Sequence, residues 1–286
     1  RKVYVNGEFI GSPVTTLGES IFTGNGQNLF MGVYDYNGNK SRYMNGLIDE
    51  VRISNIARSP EEIKADAQRF PYSIYTSLAT DLGQTPITWT QLNYNVKGAR
   101  TGDGETPLST NSLVAQWNFN DTPSTATAVS GGSCGTSCNG TLTGFSNTTA
   151  YDAVAGSGWT SANKRWGAGA LMFDGSNDCV NASSNAALNL TSSFTYETWV
   201  KINSQPGTSV HYRFFDKSGL NTSAPWGAFA GYVNNAGTMQ LYVSYENVNS
   251  LMNYTLNTGE WHHVVFIHDA TADTDSIYVN GKLVNA

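Results

Sequence analysis

The 286-residue chain carries 16 Lys and Arg against 22 Asp and Glu, for a formal net charge of −6 with only 13% charged residues. No Lys/Arg cluster is present to neutralise a phosphate backbone or hold an anionic surface, and no apolar run is long enough to span a bilayer, so neither nucleic acid nor membrane insertion is expected. Charge at about half the usual level, with 29 Gly and 15 Tyr, suits an extracellular or cell-surface β-protein of one or two domains.

In chain order, the first element is a hairpin. Asn6-Gly7 sits between apolar alternations, where two successive positive-φ positions favour a type I′ turn. The same four residues, Tyr4-Val5-Asn6-Gly7, return as Tyr278-Val279-Asn280-Gly281, 274 positions later. Self-similarity at a fixed offset marks a repeat, here one period with a short overlap.

The stretch NGLIDEVRISNIARSPEEI follows, from Asn45 to Ile63. Its alternation predicts a strand with Asp49 on the side of Leu47, Val51 and Ile53, and with Glu50 facing the other way. A carboxylate on an apolar side needs hydrogen bonds or a cation. Ser59 as cap, Pro60 at the first helical position and Glu62 closing a capping box predict a helix from Pro60 to about Gln68. Residues 70–111 read as a connector, with short strand-like runs (73–77, 87–89, 92–96) before a polar Gly/Pro/Asp stretch.

Strand patterns dominate the remainder. They include SLVAQWNFND (Ser112 to Asp121), GAGALMFDGSNDCVN (Gly167 to Asn181), SFTYETWVKI (Ser193 to Ile202), the alternation Met239, Leu241, Val243, Tyr245, and GEWHHVVFIHD (Gly259 to Asp269). Cys134 and Cys138 lie in a Gly/Ser loop with no His partner, which points to a small disulfide rather than a zinc site, though a free or metal-bound pair remains the alternative. Cys179 reads as a small buried hydrophobe.

Together these segments resemble a laminin G-like, concanavalin A-like jelly roll, with Asn45 to Ile63 as its last core strand and exit helix, and the YVNG unit as its penultimate hairpin. The resemblance implies an all-β antiparallel sandwich. Its order implies that residues 1–69 end one jelly roll and residues 112–286 begin the next, two partial sandwiches each completed by neighbouring repeats or by other copies of the chain through donated strands.

Candidate chemistry is sparse. His262 and His263 point to opposite faces of a strand and cannot chelate one ion, and Glu197 stands alone, without the closely spaced acids of a glycoside hydrolase. No nucleophile elbow or phosphate loop is present, so catalysis is not expected. By resemblance, such domains often hold calcium at the sandwich rim. Asp49, Asp174, Asn177 and Asp178 are the candidate ligands, the alternative being that these acids cap turns. Trp226, Tyr232, Tyr242 and Tyr245 are candidate sugar platforms, with Tyr242 on the strand face opposite Leu241 and Val243. The sequence therefore reads as a non-enzymatic structural and adhesive repeat of a large surface protein or filament, the alternative being a calcium-dependent carbohydrate-binding module.

Overall fold

The computed structural model describes residues 3–5, 8–11, 28–36, 38–67, 105–107, 109–123, 125–152, 156–182, 184–189, 192–218, 227–245 and 248–284. The strand-like runs expected in the connector, Gln68 and Trp226 lie outside them. Near the N-terminus, β1 (Val3–Val5) and β2 (Glu8–Gly11) pair with each other and with no other strand among the described residues. Next come β3 (Phe30–Met31), the hairpin of β4 (Tyr34–Tyr36) and β5 (Asn39–Ser41), β6 (Asn45–Ser54) and helix α1 (Pro60–Ala67). Then follow β7 (Leu113–Trp117), β8 (Thr127–Ala128), β9 (Gly140–Thr143), β10 (Gly158–Thr160), β11 (Ala170–Asp174), β12 (Cys179–Asn181) and β13 (Phe194–Ile202). The last strands are β14 (His211–Ser218), β15 (Gly227–Asn235), β16 (Thr238–Tyr245), β17 (Val248–Asn253), β18 (His262–Asp269), β19 (Thr274–Val279) and β20 (Lys282–Val284).

Two eight-stranded sheets stack face to face. The first runs β10-β11-β6-β13-β18-β19-β20, with β7 also on β6, and the second runs β17-β16-β15-β14-β3-β12-β9-β8. The inward-facing residues of both sheets meet in one core: Ile48, Val51, Tyr196, Val200, Phe266 and Ile277 from the first sheet, and Met31, Val180, Phe214, Phe215, Tyr232 and Leu241 from the second. Tyr196 stacks on Phe215 across the interface at 4.1 Å between ring centroids.

This topology corrects the expectation of two partial sandwiches. β6, from the first part of the chain, sits inside the first sheet between β11 and β13, and β3 sits inside the second between β14 and β12. The described strands of both parts therefore share both sheets. The physical reason is edge and face satisfaction: the backbone groups and apolar faces that residues 112–286 would leave open are covered by β3 and β6 of the same chain.

The helix and the second hairpin form as their residues dictate. Ser59 Oγ accepts from Glu62 N at 3.3 Å while Glu62 Oε2 accepts from Ser59 N at 3.0 Å, closing the capping box. Ile63 lays α1 on Val265, Ile267 and Tyr278, over the outer face of the first sheet. Between β19 and β20, Asn280 and Gly281 both take positive φ, 51° and 76°. Asn280 then clamps β18, its N–H donating to His263 O at 2.8 Å and its Oδ1 accepting from His263 N at 2.9 Å.

Candidate functional site

The four expected metal ligands do not converge. Asp174 and Asp178 share the turn after β11, where Asp174 Oδ1 accepts from Ser176 N and Asp178 Oδ2 accepts from Asp174 N, both at 2.8 Å, with Asn177 exposed beside them. Asp49 lies four residues along β6 from Asn45, the partner of Asp174, about 13 Å away by strand rise. Its Oδ1 accepts from Glu50 N and its Oδ2 from Arg165 N and Trp166 N, so it pins the loop leading to β11. Among the described residues, no group of three His, Cys, Asp or Glu side chains is disposed to hold a metal. Asp178 Oδ1 is buried without a hydrogen-bond partner among the described residues, yet one such oxygen falls short of the six to eight ligands calcium takes.

A bulge in β6 explains why the strand reading failed at Asp49. Glu50 has φ of +50°, and the pairing with β13 shifts between Glu197 and Trp199. Ile48 faces the core before the bulge, and Val51 and Ile53 face it afterwards. Asp49 and Glu50 consequently both point outward, not to opposite sides. The bulge falls where β6 changes neighbour, from β11 at Ile48 to β7 at Val51.

Glu197, which looked solitary, is the centre of a buried ionic network on that outer face. It accepts from Arg52 Nη1 and meets His263 Nε2, both at 3.0 Å, and Arg52 Nη2 reaches Glu50 at 3.2 Å. Burial alone would push the Glu197 carboxyl up, but the His263 hydrogen bond and the Arg52 guanidinium hold it down to about 2. Glu50 is pushed up to about 9, chiefly by burial. Helix α1 lies over the same face. These carboxylates, His263 and Arg52 are all sealed from solvent, and Gln116 Nε2 of β7 donates to Glu50 Oε2 at 3.5 Å. His262, on the other strand face, meets Asn257 O at 3.1 Å, and His268 pairs with Asp275 at 3.0 Å.

The outer face of the second sheet is different. Cross-strand register sets Asp216, Phe229 and Ser244 in one row and Arg213, Gly231 and Tyr242 in the next, with His211 and Val233 in a third. A bulge after Arg213 sends both Phe214 and Phe215 into the core and brings Asp216 out beside Arg213, 3.6 Å from its Nε. Gly231 is required, since an added Cβ would lie 2.6 Å from the Tyr242 hydroxyl and closer still to Tyr212 O. The Arg213 guanidinium lies over Phe229 at 3.8 Å, Tyr34 at 4.7 Å and Tyr242 at 5.4 Å. Arg42 stands at the same place, 4.9 Å over the Tyr34 ring, and its carbonyl accepts from Arg213 N.

Four of these side chains keep polar atoms buried without a hydrogen-bond partner among the described residues: Arg213 Nε and Nη1, His211 Nδ1, Tyr242 Oη and Ser244 Oγ. Such orphans are rare and costly, so a concentration of them on one face points to something that completes them. Burial, followed by the Arg42 and Arg213 charges, lowers His211 to about 4, leaving the ring neutral at neutral pH. Burial, then Arg213, also lowers Arg42.

Of the expected aromatic platforms, Tyr242 is on this face, sealed beside Phe229 and Val233. Tyr232 is not: its ring is in the core, its hydroxyl donating to Gln205 Oε1 at 2.9 Å and accepting from Leu256 N at 3.2 Å. Its parity within β15 puts it with Ala228 and Ala230, leaving the outer positions to Phe229 and Val233. The Tyr245 side chain lies outside the described set. Cys134 and Cys138 are joined by a disulfide, and Cys179 is free and buried against Phe30, Val33 and Tyr43. Arg213, His211 and Asp216 were missed from sequence; the available signal was the doubled Phe in HYRFFDK, which breaks alternation.

A laminin G-type family model, described as the concanavalin A-like lectin/glucanases superfamily, matches residues 1–64 and 174–286, more than half of the chain. The chain belongs to this superfamily. The two matched stretches are those that supply β3 and β6 on one side and β12 to β20 on the other, and they meet in one lectin-like sandwich. No curated protein and no solved structure matches the chain.

Proposed function

We propose that this concanavalin A-like domain is a non-catalytic, glycan-binding adhesive module acting outside the cell, with its ligand on the outer face of the second sheet. One observation carries the reading: orphaned hydrogen-bonding groups of Arg213, His211, Tyr242 and Ser244 are grouped on that face with the rings of Tyr34, Phe229 and Tyr242. Few convergent polar groups among aromatic walls are what a hydroxyl-rich ligand requires. Catalysis is disfavoured by where the acids lie. Glycoside hydrolysis needs two carboxyls about 5–9.5 Å apart across the scissile bond. Among the described residues set out above, Asp216 is the carboxylate of this face, itself buried, whereas Glu197, Glu50 and Asp49 are buried on the outer face of the other sheet. The Cys134–Cys138 disulfide accords with an oxidising, extracellular setting. Probing immobilised glycans with the chain tests the reading: saturable binding to one class is expected, and binding to none defeats it.

A second reading, a structural repeat that also engages its own copies, rests on the duplicated hairpin. Val3, Tyr4, Val5, Asn6 and Gly7 match Ile277, Tyr278, Val279, Asn280 and Gly281 position for position. The chain thus has two hairpins suited to the edge of β18, and only the second pairs there, while β1 and β2 pair with each other. Light scattering across a concentration series tests this: concentration-dependent assembly, lost when residues 1–11 are deleted, is expected, and a monomer at every concentration excludes it.

A further inference from the structure

The Asn-x-Ser/Thr pattern that accepts N-linked oligosaccharide occurs at Asn39, Asn120, Asn139, Asn147, Asn181, Asn189, Asn221 and Asn253. Asn221 lies outside the described residues. Most of the others are committed to the fold. Asn120 Oδ1 accepts from Ala168 N and Gly169 N while its Nδ2 donates to Glu105 Oε1. Asn147 Oδ1 accepts from Thr149 N and Ala150 N, and its Nδ2 donates to Ala150 O at 2.5 Å. Asn139 Oδ1 accepts from Ser130 N at 2.9 Å. Asn189 keeps its Oδ1 buried, and Asn181 is half-buried in β12 between β3 and β9. Asn39 and Asn253 differ. Asn39 opens β5, exposed on one side with Ser41, while Lys40 on the other side reaches Cys179 Sγ at 3.4 Å. Asn253 ends β17, exposed as Thr255 is, while Tyr254 between them packs against the core. Gln240 Nε2 donates to Asn253 Oδ1 at 2.8 Å, and no described residue holds its Nδ2.

The place of Asn253 gives that site a task. The two sheets end in β8, β10, β17 and β20, of two, three, six and three residues, so β17 is the longest of these end strands. It pairs with β16 and with no other strand among the described residues. Exposed edges are ordinarily guarded by Lys, Pro or a bulge. Val248–Asn253 (VNSLMN) has no charge and no proline, its register against β16 is unbroken, and Leu251 is 46% exposed. A bulky hydrated group at the end of this strand supplies the missing guard. We propose that Asn39 and Asn253 are acceptors of N-linked oligosaccharide, and that the glycan on Asn253 screens the β17 edge from strand pairing with other chains. In the transfer, Asn Nδ2 displaces a polyprenyl diphosphate from the anomeric carbon of a lipid-linked oligosaccharide: an N–C bond replaces a C–O bond, and the amide proton leaves to the transferase. The proposal rests on the extracellular setting argued above and adds a modification to it.

Secretion of the full chain from a eukaryotic host, followed by glycopeptide mass spectrometry, decides it. Sugar is expected on Asn39 and Asn253, and none on Asn120, Asn139, Asn147, Asn181 or Asn189 of the folded, secreted protein. Asn253→Gln and Thr255→Ala should each lose the sugar on that peptide and show larger species by light scattering, whereas Asn39→Gln should lose its own sugar and scatter as the wild type does. Thr255→Ala keeps the contact between Asn253 and Gln240, so assembly shared by both variants reports the glycan and not the amide. Circular dichroism identifies any variant that fails to fold, and trimming the folded wild type with an endoglycosidase then carries the test. An unmodified Asn39 or Asn253 removes that site, and sugar on the asparagines tied into the fold overturns the structural selection. Variants and trimmed protein that assemble no more than the wild type remove the edge role. A chain that is glycosylated but retained inside the cell counts against the extracellular reading alone, and one secreted without sugar counts against this proposal alone.

Discussion

Replacing Glu197 by Ala tests whether the network beneath α1 holds the sandwich together. The substitution leaves Arg52 and His263 buried without the carboxylate that each meets at 3.0 Å. Arg52 keeps Glu50 at 3.2 Å, but burial raises that carboxyl to about 9, so at pH 7 it offers the guanidinium a hydrogen bond without a full counter-charge. Removing one member of a buried pair costs about 3–5 kcal/mol, because the surviving charge stays desolvated. In a chain of this size that lowers the melting temperature by roughly 10 °C. A pH series supplies an independent arm. Glu197 titrates near 2 in the folded protein against its usual 4.5, a lowered value, so its contribution is fully present above pH 4.5 and fades as pH falls through 2. Urea unfolding of wild type and Glu197→Ala should therefore show a gap of several kcal/mol at pH 7 that narrows below pH 4.5. A gap under about 1 kcal/mol at pH 7, the size typical of exposed ion pairs, would refute the argument.

Three further outcomes follow from particular contacts. Cys134→Ser with Cys138→Ser opens a loop closed by a four-residue separation and should cost about 2 kcal/mol on the chain-entropy account, measurable as a lower urea midpoint. Burial raises Asp178 from its usual 3.8 to about 6, so the stability it lends is present below pH 3.8 and lost as pH rises through 6. Asp178→Asn, which keeps an acceptor for Asp174 N, should flatten that slope, and an unchanged pH profile would contradict the assignment. Gly231→Ala places a methyl against the Tyr242 hydroxyl and Tyr212 O, and should both weaken glycan binding and lower the melting temperature, whereas a neutral effect on both would show that Tyr242 does not lie across that glycine.

The local elements were legible because their causes are local. Ser59, Pro60 and Glu62 specify the start of α1 without help from the rest of the chain, and Asn280-Gly281 specify their turn. Tyr242 was placed on the correct face because alternation holds unbroken through β16. Alternation fails at bulges, which add a residue without any mark in composition. That is why Asp49 was assigned to the core side and why Asp216 was overlooked beside Arg213. Tyr232 went astray for a related reason: in GAFAGYVNN the small residues face the core with it, so hydrophobicity alone does not reveal the parity of β15. The closure of both ends of the chain into one sandwich is a matter of which strand pairs with which. Repeated segments carry the same pairing code wherever they lie, so sequence order could not decide it.

That closure also builds the site, since Tyr34 and Arg42 come from the first part of the chain and Arg213 and Tyr242 from the second. Cysteines at Leu47 and Met172, register partners on β6 and β11, test it directly. Oxidised at low concentration, Leu47→Cys with Met172→Cys should cross-link within a single chain, running as a monomer on a non-reducing gel. Cross-linking only between chains, as dimers or ladders, would show that the two parts complete different molecules and would take the composite binding face with it.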